Sequence, residues 1–251
     1  MLACQQGYDV FVSDASRIGD VFRKELSEKN ISFEEGHHTE SLILNADEVI
    51  KSPGIPNSAP LIQKLRKAGI PIISEIEFAY RYIGDSKLIA ITGSNGKTTT
   101  TALTYHICRH GERDCALVGN IGYSFARQIA CDPKPLYVAE ISSFQLDDIR
   151  QFRPHVAVIT NITEDHLDRY EYNLDNYARA KFRIAENQLP EDVFIYNLDD
   201  EITMKHLPYQ NIKSTQAPIT MRKEIARGAY LNNARLHLKW RNEEMRSEEH
   251  T

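Results

Sequence analysis

Leu88-Ile-Ala-Ile-Thr-Gly-Ser-Asn-Gly-Lys-Thr98 decides the fold, because an apolar run of strand character passes directly into a glycine loop that ends in Lys97-Thr98. Gly93 and Gly96 can take backbone angles closed to other residues, so successive N–H groups can turn inward around an anion at the start of the next helix. Gly93, Ser94, Asn95, Gly96, Lys97, Thr98 and Thr99 are therefore read as a phosphate-binding segment. Lys97 would bring positive charge to the outer phosphates of a nucleotide, and the Thr98 hydroxyl suits a bound Mg²⁺. Two residues separate the glycines here, where the usual P-loop has four. The reading is thus of a shortened variant, with an ordinary glycine turn between strand and helix as the alternative.

Outward from this loop, short β-branched runs alternate with helical patterns, the signature of parallel strands joined by crossover helices. Toward the N-terminus a strand is expected at 8–13, then a helix burying Ile18, Phe22 and Leu26, then a strand at 46–50. The Ser52-Pro-Gly-Ile-Pro56 turn leads to a helix at 61–68 stopped by Gly69, and a short strand at 71–74. Gly84-Asp85 marks a boundary. Beyond it, strands are expected at 88–92, 136–141, 156–161 and 193–197, with helices beginning near Thr98, Phe144 and Asn176. The helix from Thr98 should pack Leu103 and Ile107 on the sheet and point its N-terminus at the phosphates. Two alternating runs around Asn232-Asn233 read as a β-hairpin.

The fold class is α/β: an incomplete Rossmann-like N-terminal domain at residues 1–84, then a P-loop-type central domain at 85–251 with a mostly parallel sheet flanked by helices. Hydrophobic content of 41%, charged content of 26% and a net charge of −5 fit a globular chain and give no electrostatic case for nucleic acid. No apolar run approaches the roughly 20 residues of a membrane span, and no secretion signal opens the chain, so a cytoplasmic location is expected. Cys4, Cys108, Cys115 and Cys131 form no CxxC pair, which argues against a zinc site or a disulfide framework.

Polar clusters follow the strand ends, where open α/β sheets place their ligands. Glu140 could complete the coordination of a Mg²⁺ begun by Thr98, or be a solvated carboxylate. Asn161-Ile-Thr-Glu-Asp-His-Leu-Asp-Arg169 is dense in groups that bind metal, phosphate or sugar hydroxyls, and His166 stands among Asp165, Asp168 and Arg169. Lys181, on its own, reads as one basic residue of a solvated helix face.

Taken in order, Thr92-Gly-Ser-Asn-Gly-Lys-Thr98, Gly119-Asn-Ile-Gly122, Glu140-Ile-Ser-Ser-Phe-Gln-Leu146, Asn161-Ile-Thr-Glu-Asp-His-Leu-Asp-Arg-Tyr170, Tyr177-Ala-Arg-Ala-Lys181 and Asn197-Leu-Asp-Asp200 resemble the Mur ligase family. The likeness spans roughly residues 8 to 207, and the Glu140–Leu146 segment is similar to the family's D-glutamate-adding branch. It implies an ATP-dependent ligase that joins UDP-N-acetylmuramoyl-L-alanine to D-glutamate through an acyl phosphate, in peptidoglycan synthesis. On the same likeness Lys97, His166 and Lys181 are the catalytic residues. Thr98 and Glu140 hold one Mg²⁺, while His166 and a carbamylated Lys181 serve a second. Asp14, Arg17, Ser52, Gly54, Asn120, Ser142 and Gln145 contact the UDP-sugar substrate, with Asn161 and Asp165 in support. The expected partners are those small molecules, with no nucleic acid or membrane, acting on a monomer.

Set against the family pattern, the chain is expected to lack the first strand and its glycine turn, and to lack the C-terminal amino-acid-binding domain, so that the fragment alone is inactive. Residues 246–251 match an in-frame translation of a sequencing adaptor, with a charged surface loop as the alternative. Three functions stay open: the ligase, or another Mur-type or folylpolyglutamate-type amide ligase; a P-loop switch ATPase; and a non-catalytic nucleotide-binding module.

Overall fold

The computed structural model describes residues 1–240 and 243–247. Residues 248–251, most of the segment compared with an adaptor, lie outside them; Arg246 and Ser247 lie within, and Arg246 ends a strand.

The first part of the chain runs α1 (Leu2–Gln5), β1 (Phe11–Asp14), α2 (Asp20–Glu28), β2 (Ser32–Glu35), α3 (Glu40–Ile43), β3 (Val49–Lys51), α4 (Pro60–Lys67), β4 (Ile72–Ser74) and α5 (Glu75–Tyr80). Here β1 pairs in parallel with β2, and β3 with β4, as two separate two-stranded sheets among the described residues. Pro60 opens α4 at a position where a missing N–H costs nothing, and Gly69 follows its end at φ 74°. The helix expected to bury Ile18, Phe22 and Leu26 differs from that reading. Ile18 is buried but precedes α2, Phe22 is 59% exposed, and α2 buries no residue at all. It packs on the two-stranded β1–β2 sheet through β2, with Leu26 half-buried and Phe22 left uncovered.

Next come β5 (Lys87–Thr92), α6 (Lys97–His110), β6 (Cys115–Gly119), α7 (Phe125–Cys131), β7 (Leu136–Glu140), α8 (Ser143–Leu146), β8 (Val156–Ile159), α9 (Leu174–Phe182), β9 (Val193–Asn197), α10 (Glu201–His206), β10 (Thr215–Thr220), β11 (Gly228–Asn232), β12 (Arg235–Trp240) and β13 (Glu243–Arg246). The described strands join in the order β13-β12-β11-β10-β9-β8-β5-β7-β6. From β6 to β11 the pairing is parallel, and the last two strands are antiparallel. The chain is thus α/β, with a mostly parallel sheet flanked by helices. The expected hairpin is β11–β12, but its turn residues are Asn233 and Ala234, both at positive φ, one position later than the pattern indicated.

Leu88, Ala90, Val138, Ala139, Ala157 and Ile159 are fully buried in the sheet. Ile73, Ile76, Phe78, Ala79 and Ile83 join the same core, so the stretch ahead of Gly84 is already packed on the large sheet. The α6 helix departs from expectation. Leu103 and Ile107 are 55% and 61% exposed, whereas Thr101 is buried, with Thr104, Tyr105 and Cys108 half-buried behind it. That i, i+3, i+4, i+7 set is the face that contacts β5, β6 and β7. Leu103 lies two residues from Thr101, roughly 200° around the helix, and so looks away from the sheet.

Candidate active site

Parallel strands end at one edge, and in the order β8-β5-β7 the segments following these three strands are neighbours. The loop after β5 is the phosphate-loop candidate. Gly93 sits at φ 147°, and a Cβ there would meet Thr160 Oγ1 at 1.9 Å, so no other residue fits the crossing. Gly96, at φ 78°, supplies the N-cap of α6. Lys97 opens that helix and folds back to donate from Nζ to Ser94 O at 2.9 Å. Thr98 and Thr99 are exposed on its first turn.

The segment after β8 fastens this loop. Ser94 N donates to Asn161 O and Asn95 N to Asn161 Oδ1, each at 2.9 Å, while Asn161 Nδ2 donates to Asn95 O at 3.0 Å. Thr160 Oγ1 donates to Asn95 O at 2.7 Å, and Ser94 Oγ exchanges hydrogen bonds with the main chain of Thr163. A loop so tied arrives with its amides already oriented, which removes an ordering cost from anion binding. Thr160, Thr163 and Tyr177 were not singled out for this job by the sequence reading. Tyr177, whose hydroxyl lies 3.2 Å from Ser94 Oγ, was visible only as one letter of the Tyr177–Lys181 motif.

Lys181 is 1% exposed and donates from Nζ to Gly93 O at 2.8 Å, with its ammonium 4.4 Å from the centroid of the Tyr177 ring. It is not the solvated helix residue that composition suggests. Burial first, then repulsion from Lys97, pulls its ammonium down to about 7. Such an amine is substantially unprotonated near neutral pH.

Glu140 ends β7 beside Ile91 of β5. It is 2% exposed; its Oε1 accepts from Asn120 Nδ2 at 2.9 Å, and its Oε2 is buried with no partner. Asn120 can come this close because Gly119, at φ 97°, has no side chain to strike Glu140 O, which a Cβ would approach to 2.3 Å. A buried, unpaired carboxylate oxygen is costly, and a cation is one remedy. Among the described residues no three His, Cys, Asp or Glu side chains gather into a metal cage. Mg²⁺ does not require one, since it is usually held by one or two carboxylates together with phosphate oxygens and water. The residues present fit that ion.

His166 stands at φ 49°, at the head of a 3₁₀ turn over Leu167–Tyr170 that is followed by Glu171 and Tyr172, also at positive φ. Three non-glycine residues in the left-handed region make this a strained corner, of the kind found where a side chain must be presented. The His166 side chain is 58% exposed, and its ring packs on Phe144 at 5.3 Å. No hydrogen bond joins it to Lys181 among the described residues. Ser142 and Gln145 cap α8 reciprocally: Gln145 N donates to Ser142 Oγ, and Ser142 N to Gln145 Oε1. Asp14 ends β1 and Arg17 lies in the exposed turn after it, where Asp14 Oδ1 accepts from Ser16 N and Arg17 pairs with Asp20. Ser52 and Gly54 lie in the loop after β3, which the 3₁₀ turn touches through Arg169.

With this geometry in hand, residues 91–248 match the Mur ligase middle domain and residues 1–60 the MurD N-terminal domain. The chain belongs to the Mur ligase family. It is 52% identical over 233 residues to the UDP-N-acetylmuramoylalanine--D-glutamate ligase of Bacteroides thetaiotaomicron, covering 93% of this chain and 52% of that protein. Among solved structures it resembles the UDP-N-acetylmuramate:L-alanyl-gamma-D-glutamyl-meso-diaminopimelate ligase of Neisseria meningitides, with a TM-score of 0.60 at 17% identity over 96% of this chain and 79% of that one. It also resembles the ADP complex of MurF ligase from Thermotoga maritima, with a TM-score of 0.52 at 16% identity over 98% and 56% of the two chains. These two likenesses concern the fold. The chain spans about half the length of the curated relatives it matches. No helix among the described residues is long and apolar enough to cross a membrane.

Proposed function

We propose that this chain carries the ATP- and nucleotide-sugar-binding part of a cytoplasmic, monomeric ligase that joins UDP-N-acetylmuramoyl-L-alanine to D-glutamate. The observation that carries the reading is the buried, unpartnered Oε2 of Glu140 at the edge shared with the Gly93–Thr99 loop. The D-glutamate branch is supported by the curated relatives and by the Glu140–Leu146 segment. In this reading residues 1–84 face the nucleotide-sugar through Asp14, Arg17, Ser52 and Gly54, and residues 85–251 add Asn120, Ser142 and Gln145 to that site.

A carboxylate resists attack by an amine because its carbon is electron-rich and oxide does not leave. Transfer of the γ-phosphoryl group to a carboxylate oxygen, with departure of ADP, gives an acyl phosphate; the amine then attacks the acyl carbon, phosphate leaves, and the nitrogen loses a proton. Lys97 neutralises the β- and γ-phosphates as the two anions approach. Thr98 and Glu140 would hold one Mg²⁺, and His166 and Lys181 a second, supplying charge neutralisation and alignment of the transferred group. An ammonium cannot ligate a cation, so Lys181 takes part as its carbamate. Its low proton affinity favours the step in which the neutral amine adds to CO₂ and releases a proton.

Calorimetric titration of the chain with ADP, with and without Mg²⁺, tests the reading. The expected result is affinity at least about tenfold higher with the metal, a gap of about 1.4 kcal/mol, which Glu140→Gln narrows. Equal binding with and without Mg²⁺ in the wild-type chain would remove the role assigned to Glu140. Carbamylation has its own readout. A carbamate carbon signal from ¹³C-bicarbonate, absent in Lys181→Ala, is expected by NMR.

A further inference from the structure

Arg169 projects from the strained corner toward the first part of the chain rather than toward the phosphate loop. Its Nη1 donates to Gly54 O at 3.2 Å, and its Nη2 donates to Pro53 O at 3.2 Å and Ile55 O at 3.3 Å. The guanidinium carbon lies 4.4 Å from the centroid of the Phe144 ring, and Phe144 packs in turn on His166 and stacks with Tyr170. From the other side, Lys51 Nζ donates to Ile55 O and Asn57 Oδ1, each at 3.1 Å, and pairs with the buried Asp148 at 2.9 Å.

Three consecutive carbonyls thus turn toward one guanidinium, while the loop is also tied by the turn from Ile55 N to Ser52 O and, at its far end, by the bonds that Arg66 and Gln63 make to Asn57. Ile55 is 36% exposed and joins no apolar cluster. Three cations reach 52–57: Lys51 from β3 and Arg66 from α4 hold Asn57, and only Arg169, from the 3₁₀ turn after β8, gathers the carbonyls of 53–55 together. A planar fork can serve several acceptors while stacking on an aromatic face, which a lysine cannot do.

We propose that Arg169 is a positioning residue that latches the 52–57 loop to Phe144, and so fixes the nucleotide-sugar side of the cleft relative to the His166 corner. The assignment of that loop to a nucleotide-sugar rests on the reading under Proposed function; the latch does not.

Hydrogen exchange on the ligand-free chain, read by mass spectrometry, tests the latch directly. Arg169→Ala and Arg169→Lys should both speed exchange in peptides covering 52–57 by about tenfold, the scale of one lost charge-assisted interaction of about 1.4 kcal/mol. Exchange in 91–100 should stay as in wild type. Unchanged exchange at 52–57 in Arg169→Ala overturns the latch, as does loosening spread evenly over both regions, which would mean general destabilisation. The binding arm uses UDP-N-acetylmuramoyl-L-alanine and Mg-ADP as probes. Kd for the nucleotide-sugar should rise about tenfold and Kd for Mg-ADP stay within about twofold; equal weakening of both overturns the positioning role. A wild-type chain that shows the latch by exchange but does not bind the nucleotide-sugar refutes the functional reading and leaves the latch standing.

Discussion

The large sheet and the first 74 residues are built from the same alternation of strands and helices, yet they are held by different forces. Strands of the sheet interior have neighbours on both sides and bury Leu88, Ala90, Val138, Ala157 and Ile159 completely. The first stretch has two two-stranded sheets and a cluster of its own built on Ile43, Ile62, Leu65 and Ile72, while Val21, Phe22, Leu42 and Ile50 remain exposed. Isolated two-stranded sheets are marginal in water. Leu2 and Ile73, at its two ends, reach the large core, and between them the stretch is joined to the larger body by polar ties: the Lys51–Asp148 pair, with side chains 2% and 4% exposed, the bond from Ser74 N to Asp148 O, and Arg169 on the 53–55 carbonyls. The site therefore has one side preorganised by a core and another positioned by hydrogen bonds.

Removing the anchor of those ties should give the largest effect. Glu77, fully buried on α5, accepts from the backbone N–H groups of Arg150, Gln151 and Phe152 through Oε2. That turn begins where Asp148 receives Lys51. Glu77→Ala leaves three amides, that of Phe152 buried and those of Arg150 and Gln151 partly so, without their acceptor, at an expected cost of about 3–5 kcal/mol, read as a shift of the denaturant midpoint. The comparison predicts a second symptom: Glu77→Ala should split unfolding into two transitions, the first reported by peptides before residue 74. A single transition with a small shift would show that the first stretch does not depend on this joint.

A smaller effect is expected at the core-supported side, and it depends on pH. The Lys181 ammonium titrates at about 7 in the fold, against about 10.4 in an unfolded chain. The unfolded state then binds more protons between these values, so wild-type stability rises with pH across that window and is flat below about 7. Lys181→Met removes the buried charge and loses the bond to Gly93 O. In CO₂-free buffer it should be more stable than wild type by about 1–2 kcal/mol at pH 7, once the lost hydrogen bond is subtracted, with the difference closing toward pH 10. Thermal unfolding at several pH values measures this. A difference that does not vary with pH would mean that burial does not hold the ammonium down.

The same contrast explains what could be read in the letters. Strands at 87–92 and 193–197 are legible because a strand covered fully on one face and at least partly on the other is an apolar run whatever its neighbours are. The shortened glycine loop is legible because only glycine can cross Thr160 at Gly93. By contrast, β6 (Cys115–Gly119) is not among the expected strands, and only its last residue, Gly119, enters a motif. Lys181 looks like a surface residue until the fold buries it under Tyr177. The Arg169 contact is illegible in principle, since its acceptors are main-chain carbonyls more than a hundred positions away that carry no side-chain signal.

The smallest effect is the one that separates pattern from packing. Ile18, Phe22 and Leu26 have the spacing of a buried helical stripe, and Leu103 and Ile107 have it on α6, yet Phe22, Leu103 and Ile107 are each more than half exposed. Periodicity reports that a helix has an apolar face, while burial requires a second surface at the same height. On α6 that surface is met by Thr101, whose hydroxyl donates to Lys97 O and so needs no partner from the sheet. Phe22→Ser and Leu103→Gln should therefore each change stability by less than about 0.5 kcal/mol, the usual range for surface positions, whereas Thr101→Leu, which adds bulk where no space remains, should cost about 1–3 kcal/mol. Denaturant midpoints of the three variants decide it. A loss of about 2 kcal/mol or more from Phe22→Ser would put that ring in a core, and would erase the distinction between the thinly covered first stretch and the sheet.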